Sequence, residues 1–116
     1  MEIKLDIEVK YLNKEDITII LNEAFKCPWW NENKVEDFID KFLKFEKVSI
    51  YNSENGKEYM LDLDELYDGI ELFIKKGGRI NPKEYDLFDG DYILQYSLFG
   101  KLSYHITITK TFLKDK

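Results

Sequence analysis

The chain is poor in the residues that most often build a chemical site. Its 116 residues include one cysteine, Cys27, and one histidine, His105. A single cysteine cannot form an internal disulfide, and this usage is typical of a reducing cytoplasm. One thiol and one imidazole would leave a zinc ion to carboxylate ligands, which structural zinc sites rarely use alone. We therefore expect neither a zinc site nor a disulfide-stabilised secreted domain.

Arginine and long apolar runs are also scarce. Arg79 is the only arginine among 17 basic residues, whereas recognition of phosphates and base edges normally uses several arginines as bidentate donors. No stretch approaches the roughly 20 apolar residues of a membrane helix. The first ten residues alternate charged and aliphatic side chains, unlike a secretory signal. We therefore expect no direct nucleic-acid binding, no membrane association and a cytoplasmic location.

No pattern of catalytic or calcium-binding residues is present. The acidic pairs Asp62-x-Asp64 and Asp89-Gly-Asp91 lack the spacing and the closing bidentate glutamate of a calcium loop. His105 alternates with apolar residues and should face outward, where no neighbouring hydroxyl is marked as an activated nucleophile. We therefore assign no catalytic residue, metal or cofactor, and we expect a protein that is not an enzyme.

The composition and the apolar spacing predict one folded α+β domain over residues 1–116. Hydrophobic residues make up 44% of the chain and aromatic residues 16%, which is too rich for disorder. Strands are expected at 3–11, 47–52, 57–61 and 102–109, and helices at 13–27, 33–45, 62–76 and 86–99. The order β-α-α-β-β-α-α-β predicts a mainly antiparallel sheet of about four strands, with the helices packed on one face.

The helix that begins after Asp62 has the clearest sequence signals. Asp62 as N-cap and Glu65 three residues later form a capping box, in which each side chain accepts from the other's backbone N–H. Leu61 and Leu66 have the spacing of a hydrophobic staple across this box. Gly77 supplies the residue that adopts a left-handed conformation at the end of the helix.

The negative charge is concentrated around this helix. Residues 54–91 hold 11 acidic and 5 basic residues, which accounts for the formal net charge of −6, while the rest of the chain is balanced. Helix capping and solvation explain several of these acids without any partner. As a functional alternative, an outward-facing acidic surface would bind a basic, nucleic-acid-holding channel. The acids predicted to form that surface are Asp62, Asp64, Glu65, Asp68, Glu71, Asp86, Asp89 and Asp91.

The segment Pro28-Trp29-Trp30 is a second candidate contact region. Two adjacent tryptophans in a loop between helices are not expected to both point inward, and tryptophan is over-represented among binding hot spots. One alternative is that one ring covers the core while the other lies along the surface. The other is that Trp29 or Trp30 anchors a partner.

The second half of the chain carries the strings Leu63-Asp-Glu-Leu66 and Gly69-Ile70-Glu71-Leu72-Phe73, followed by Asp89-Gly-Asp91-Tyr-Ile-Leu-Gln-Tyr-Ser-Leu-Phe-Gly100. With these strings it resembles a family of small proteins carried by bacteriophages and mobile elements, in which a similar acidic start leads to an Ile-Leu-Gln-Tyr-Ala-Leu-Phe-Gly ending. This chain departs from the family by continuing through 103–116. The resemblance implies a phage accessory protein in an infected or lysogenic bacterial host, where small acidic proteins often inhibit defence systems, including CRISPR effectors.

Two functions remain open at this point. The first is an inhibitor that docks a host protein or nucleoprotein complex with a basic surface, using the acids of residues 54–91 and a tryptophan anchor. The second is a homo-oligomeric accessory or structural phage protein, a homodimer for example, that pairs through a strand edge or the tryptophan loop. The sequence names neither the target nor the oligomeric state.

Overall fold

The computed structural model describes residues 13–103. Within them the chain forms four α-helices and one two-stranded antiparallel sheet, which confirms the α+β class. The elements are α1 (Lys14–Ala24), α2 (Ile39–Leu43), β1 (Val48–Asn52), β2 (Lys57–Leu61), α3 (Leu63–Lys75) and α4 (Leu87–Phe99), with short 3-10 helices at Val35–Asp37 and Pro82–Glu84. The predicted strand at 3–11 lies outside the described residues, as does all but the start of the one at 102–109. The four-stranded sheet and the full element order therefore stay predictions.

Three of the described α-helices begin where the sequence places an acid or amide three residues before a second acid: α1 at Asn13, α3 at Asp62 and α4 at Asp86. Asp62 accepts from the backbone N–H of Glu65 at 2.9 Å, and Glu65 accepts from the backbone N–H of Asp62 at the same distance. Asp86 and Asp89 form an equivalent reciprocal pair at the start of α4, with both distances 3.0 Å. These side chains satisfy N–H groups that the first helical turn leaves unpaired. The capping box predicted at Asp62 is confirmed.

The prediction of one continuous helix over 33–45 is wrong. The chain instead forms a 3-10 helix at Val35–Asp37 and a short α2, separated at Phe38, where φ is −117° and ψ is −30°. The apolar spacing is satisfied nevertheless, because Val35, Ile39 and Phe42 are all buried. Packing of these side chains therefore determines this segment more strongly than its helical periodicity does.

The predicted hairpin is confirmed, with Ile50 opposite Tyr59 and Asn52 opposite Lys57. The other edge of β1 is occupied by a side chain from the preceding loop. Asn33 donates its Nδ2 to the carbonyl oxygen of Tyr51 at 2.8 Å and accepts from the Tyr51 backbone N–H at 2.9 Å. Both backbone groups of Tyr51 point away from β2, so Asn33 takes the place that a neighbouring strand would occupy.

Helix α4 is central to the helical layer, with α1 packed on one side and α3 on the other. Two glycines allow the close approaches. A Cβ added at Gly90 in α4 would lie 2.5 Å from the backbone nitrogen of Ala24 in α1, and one added at Gly69 in α3 would lie 1.9 Å from the Oγ of Ser97 in α4. These contacts bring the helix backbones together, which only glycine permits at such distances.

The core lies between this helical layer and the inner face of the hairpin. The largest fully buried side chains are Trp30, Phe42, Ile17, Ile20, Leu21, Ile50, Leu61, Leu66, Ile93, Leu94 and Gln95. Among the described helices, none has the length and apolar content needed to cross a bilayer.

Candidate functional site

The outer face of α3 presents three acids in one row. Asp64, Asp68 and Glu71 follow one another at intervals of four and three residues, which places them on the same side of a helix. Asp64 and Asp68 are exposed and Glu71 is half-buried. Within residues 13–103, no basic nitrogen lies within 4 Å of the Asp64 or Asp68 carboxylate. We call this set the α3 acidic face.

Two other predicted acids, Asp62 and Glu65, lie at the start of the same helix and are paired with Lys47. The Lys47 Nζ lies 3.3 Å from Asp62 Oδ2 and 3.2 Å from Glu65 Oε1. The pKa of the Lys47 ammonium is raised by these two partners. The pKa of the Asp62 carboxyl is lowered, first by the N–H of Glu65 and then by Lys47, although partial burial opposes both. Asp62 and Glu65 therefore cap the start of α3, and Lys47 offsets one of their two negative charges.

The acids at the start of α4 lie near the end of α3, whereas Asp64 lies near the start of α3. Gly69, midway along α3, contacts Ile93 and Ser97, while Phe73 shares a pocket wall with Asp89. The two helices are therefore antiparallel. A 13-residue helix is about 20 Å long, so the start of α4 is well separated from Asp64. The packing of α3 on α4 therefore divides the acids predicted over 54–91 between the two ends of the helix pair.

Asp91 is not on the surface. Its side chain is fully buried, and its Oδ1 accepts from the indole Nε1 of Trp29 at 2.8 Å and of Trp30 at 2.7 Å. Its Oδ2 accepts from Gln95 Nε2 at 2.9 Å, and Gln95 Oε1 accepts in turn from the backbone N–H of Ser103 at 2.6 Å. The assignment of Asp91 to the partner-binding surface is therefore wrong, since a fully buried carboxyl group satisfied by internal donors cannot reach a partner.

The expectation that both tryptophans could not point inward is also wrong. Trp29 is 3% exposed and Trp30 is fully buried. A buried indole is stable only if its N–H finds an acceptor, and Asp91 supplies one oxygen to both rings. Trp29 and Trp30 are therefore parts of the core in this fold and not contact anchors. The sequence contains one signal of this arrangement, the acid Asp91 at a position of α4 that faces the core, but no local pattern connects it to residues 29 and 30.

A pocket of about 330 Å³ lies between the end of α3 and the first turns of α4. Its lining residues are three aromatic residues, one acid, one lysine, two glycines and a leucine: Phe73, Tyr92, Tyr96, Asp89, Lys76, Gly77, Gly78 and Leu102. Burial raises the pKa of the Asp89 carboxyl, and the same cause raises the pKa of Tyr92 and of Tyr96. Local sequence patterns do not predict this pocket, because its walls come from two segments that are separate along the chain.

The thiol of the single cysteine, Cys27, is enclosed by the fold. Cys27 is fully buried, and its thiol lies 3.8 Å from the carbonyl oxygen of Leu87, to which it donates. Burial raises the pKa of this thiol, and the charges of Asp91 and Asp86 act in the same direction. In the part of the chain that the structure describes, no group of three or more histidine, cysteine or acidic side chains has the arrangement of a metal site.

The chain has no match among protein-family models, curated proteins or solved structures. The resemblance to small phage and mobile-element proteins therefore stays a prediction, and function has to be argued from the site itself.

Proposed function

We propose that this chain is a non-enzymatic binding protein that docks a lysine- or arginine-rich surface through the α3 acidic face. The observation that carries the proposal is the exposure of Asp64 and Asp68, one helical turn apart and without a base within 4 Å among the described residues. Like charges at this spacing destabilise a helix by about 0.2–0.5 kcal/mol. A cationic partner would remove that repulsion.

The net charge of the whole chain also favours a basic partner. A formal net charge of −6 repels nucleic acids and attracts basic proteins. Charges at the rim of an interface act mainly on the association rate, which then falls as salt increases. The partner class is therefore a protein surface or channel that is rich in lysine or arginine, and a channel that normally holds a nucleic acid is such a surface.

The phage setting implied by the sequence resemblance narrows the choice of target. In that setting the proposed role is inhibition of a host defence complex, and the guide-binding channel of a CRISPR effector is the first target to test. The tryptophan anchor is not part of this proposal, because Trp29 and Trp30 are buried and hydrogen-bonded to Asp91.

A variant pair of equal charge tests the proposed face. Asp64→Asn, Asp68→Asn and Glu71→Gln together remove three negative charges from α3. Glu36→Gln, Asp37→Asn and Asp40→Asn remove three from exposed positions on the 3-10 helix and α2. That control region contacts α1, on the other side of α4 from α3.

Binding to a guide-free CRISPR effector, and to a lysine-rich peptide as a second probe, would be measured at low and physiological salt. We expect the α3 variant to bind about tenfold more weakly than the wild type at low salt, from three contacts of up to about 1 kcal/mol each. The control variant should lose much less. Equal losses in the two variants would mean that only the net charge matters, and the α3 acidic face would be rejected as the docking surface.

Self-association is the second candidate function, and a set of exposed apolar side chains favours it. Phe45 is 57% exposed, Met60 54% and Leu43 40%, and burying such side chains against a second copy of the chain would be favourable. Sedimentation velocity at micromolar concentration distinguishes the candidates. A homodimer that Phe45→Ser and Met60→Ser disrupt would support self-association, and a monomer at all concentrations would exclude it.

A further inference from the structure

The pocket between α3 and α4 combines three features that are found together in sites for organic cations. Three aromatic residues, Phe73, Tyr92 and Tyr96, line it, and so does the acidic residue Asp89. The backbone that ends α3 closes one side at Gly77 and Gly78. Ring faces carry negative electrostatic potential, as do a carboxylate and the C-terminal end of a helix.

The backbone N–H groups of the pocket that could hold an anion are already in use. The backbone N–H of Gly77 donates to the carbonyl oxygen of Ile74 at 3.0 Å, and that of Gly78 donates to Phe73 at 2.9 Å. Lys76 also lines the pocket, but its side chain is exposed to solvent, and among the described residues no contact within 4 Å joins its ammonium to the Asp89 carboxylate. Asp89 is the one acidic residue that the structure shows lining the pocket, and it is less exposed than Lys76.

Asp89 is only partly neutralised by its nearest base. The Arg79 Nη1 lies 3.9 Å from Asp89 Oδ2, and the same nitrogen donates to the carbonyl oxygen of Glu84 at 2.8 Å. The Arg79 side chain is 57% exposed, whereas that of Asp89 is 15% exposed. A long contact from a solvated guanidinium gives little compensation for a carboxylate that is mostly removed from water.

The shape of the pocket depends on the absence of a side chain at Gly78. A Cβ added there would lie 2.5 Å from the Phe73 ring. Without it, the ring lies against the backbone that follows α3, and it also meets Tyr85 edge to face, with 5.6 Å between the ring centroids. This packing fixes one aromatic wall in place.

From this geometry we propose that the pocket binds an alkylammonium or guanidinium group, and that its ligand is a lysine or arginine side chain of the basic partner. The cationic head would contact the Asp89 carboxylate, and the alkyl stem would lie against the rings of Phe73, Tyr92 and Tyr96. The choice of partner side chain rests on the proposed function, but the chemistry of the pocket does not. A free amine would use the same contacts.

The first test uses small cations and no partner protein. n-Butylammonium chloride and methylguanidinium chloride would be titrated into the full chain while backbone amide resonances are followed by NMR. Sodium chloride at equal ionic strength and neutral n-butanol are the matched controls. We expect saturable shifts at Gly77, Gly78 and Asp89 with both organic cations and not with either control. Shifts of equal size with n-butanol, or with sodium chloride, would overturn the proposal.

Variants then test the two parts of the pocket separately. Asp89→Asn retains an oxygen that can accept from the Asp86 N–H, so the start of α4 is preserved while the charge is lost. It should weaken n-butylammonium binding about fivefold or more. Tyr96→Leu removes one ring face at a half-buried position and should also weaken binding. Unchanged affinity in both folded variants would overturn the assignment.

The same titration separates this proposal from the proposed function. The α3 variant Asp64→Asn, Asp68→Asn, Glu71→Gln should bind n-butylammonium as the wild type does, because these positions do not line the pocket. If the small cations fail to bind while the lysine-rich peptide still depends on the α3 acidic face, the pocket proposal alone is wrong. If they bind while the peptide does not distinguish the α3 variant from its control, the docking proposal alone is wrong.

Discussion

Trp30 donates its indole Nε1–H to Asp91 Oδ1 at a distance of 2.7 Å, and both residues are fully buried. Trp29 donates to the same oxygen at 2.8 Å. One carboxyl group on α4 therefore holds the loop that follows α1, across more than 60 residues of sequence. Because Gln95 connects this group to the backbone of Ser103, the network also reaches the chain beyond α4.

We predict that Asp91→Ala destabilises the protein by about 3 kcal/mol or more. The substitution leaves two indole N–H groups and the Gln95 amide without their acceptor, and each buried unsatisfied donor costs about 1–3 kcal/mol. Urea unfolding followed by tryptophan fluorescence measures the loss. Asp68→Ala serves as the control and should be neutral or slightly stabilising, because it removes a repulsion on an exposed helix face. Equal stability of Asp91→Ala and the wild type would disprove the role of the network.

Gly69→Ala should destabilise the contact between α3 and α4 by about 1–3 kcal/mol. On an exposed helix the same change stabilises by up to about 1 kcal/mol, so the sign of the effect is diagnostic. The added methyl group would lie 1.9 Å from Ser97 Oγ, 2.7 Å from Ser97 N and 2.8 Å from the Ile93 carbonyl oxygen. Ser97→Ala in the same chain removes only the first of these contacts, so we expect partial rescue in thermal melts. A more stable Gly69→Ala protein would contradict the close helix approach.

Cys27 should resist thiol reagents in the folded protein. Its thiol is fully buried, and burial raises its pKa, as do the charges of Asp91 and Asp86. Reaction with a disulfide reagent at pH 8 should therefore require an opening of the structure that costs about 3 kcal/mol or more, which slows it by about a hundredfold. Concentrated urea should remove the protection. Immediate stoichiometric labelling without urea would contradict this packing.

The pH dependence of stability should contain a contribution from Asp62. Its folded-state pKa lies below the ordinary value of 3.8, chiefly because it accepts from the N–H of Glu65. A depressed pKa stabilises the folded state above the ordinary value, and this stabilisation is lost as the pH falls through the folded-state value. Asp62→Asn keeps a cap acceptor, so at pH 7 the wild type should be more stable by only about 0.5 kcal/mol. Chemical unfolding at several pH values should show this difference shrinking in acid, and a difference that grew there would have the wrong sign.

Local signals in the sequence predicted much of the secondary structure. The capping box at Asp62, the hairpin and the end of α4 at Gly100, where φ is 72°, all depend on residues a few positions apart. Such features are decided by backbone geometry and short-range hydrogen bonds, which a single sequence displays directly. The break at Phe38 was not predicted, because it follows from how Val35 and Phe42 pack and not from local preference.

The candidate site was predicted only in part, for a related reason. Asp64 and Asp68 are on the outer face as their helical spacing indicates. The inward position of Asp91 and of both tryptophans depends on contacts between residues about 60 positions apart, and sequence spacing carries no information about those. The antiparallel packing of α3 and α4, which separates the acids, is likewise a tertiary property.

The Asn33 side chain on the edge of β1 restricts how the hairpin can be enlarged. An incoming strand on that side would first have to displace an amide that already satisfies both backbone groups of Tyr51. Addition of a foreign peptide or fibril-type stacking is therefore disfavoured at the β1 side of the described hairpin. Among residues 13–103, the β1 edge of the hairpin is thus closed at Tyr51 by a side chain of the same chain, which protects that edge from pairing with another strand.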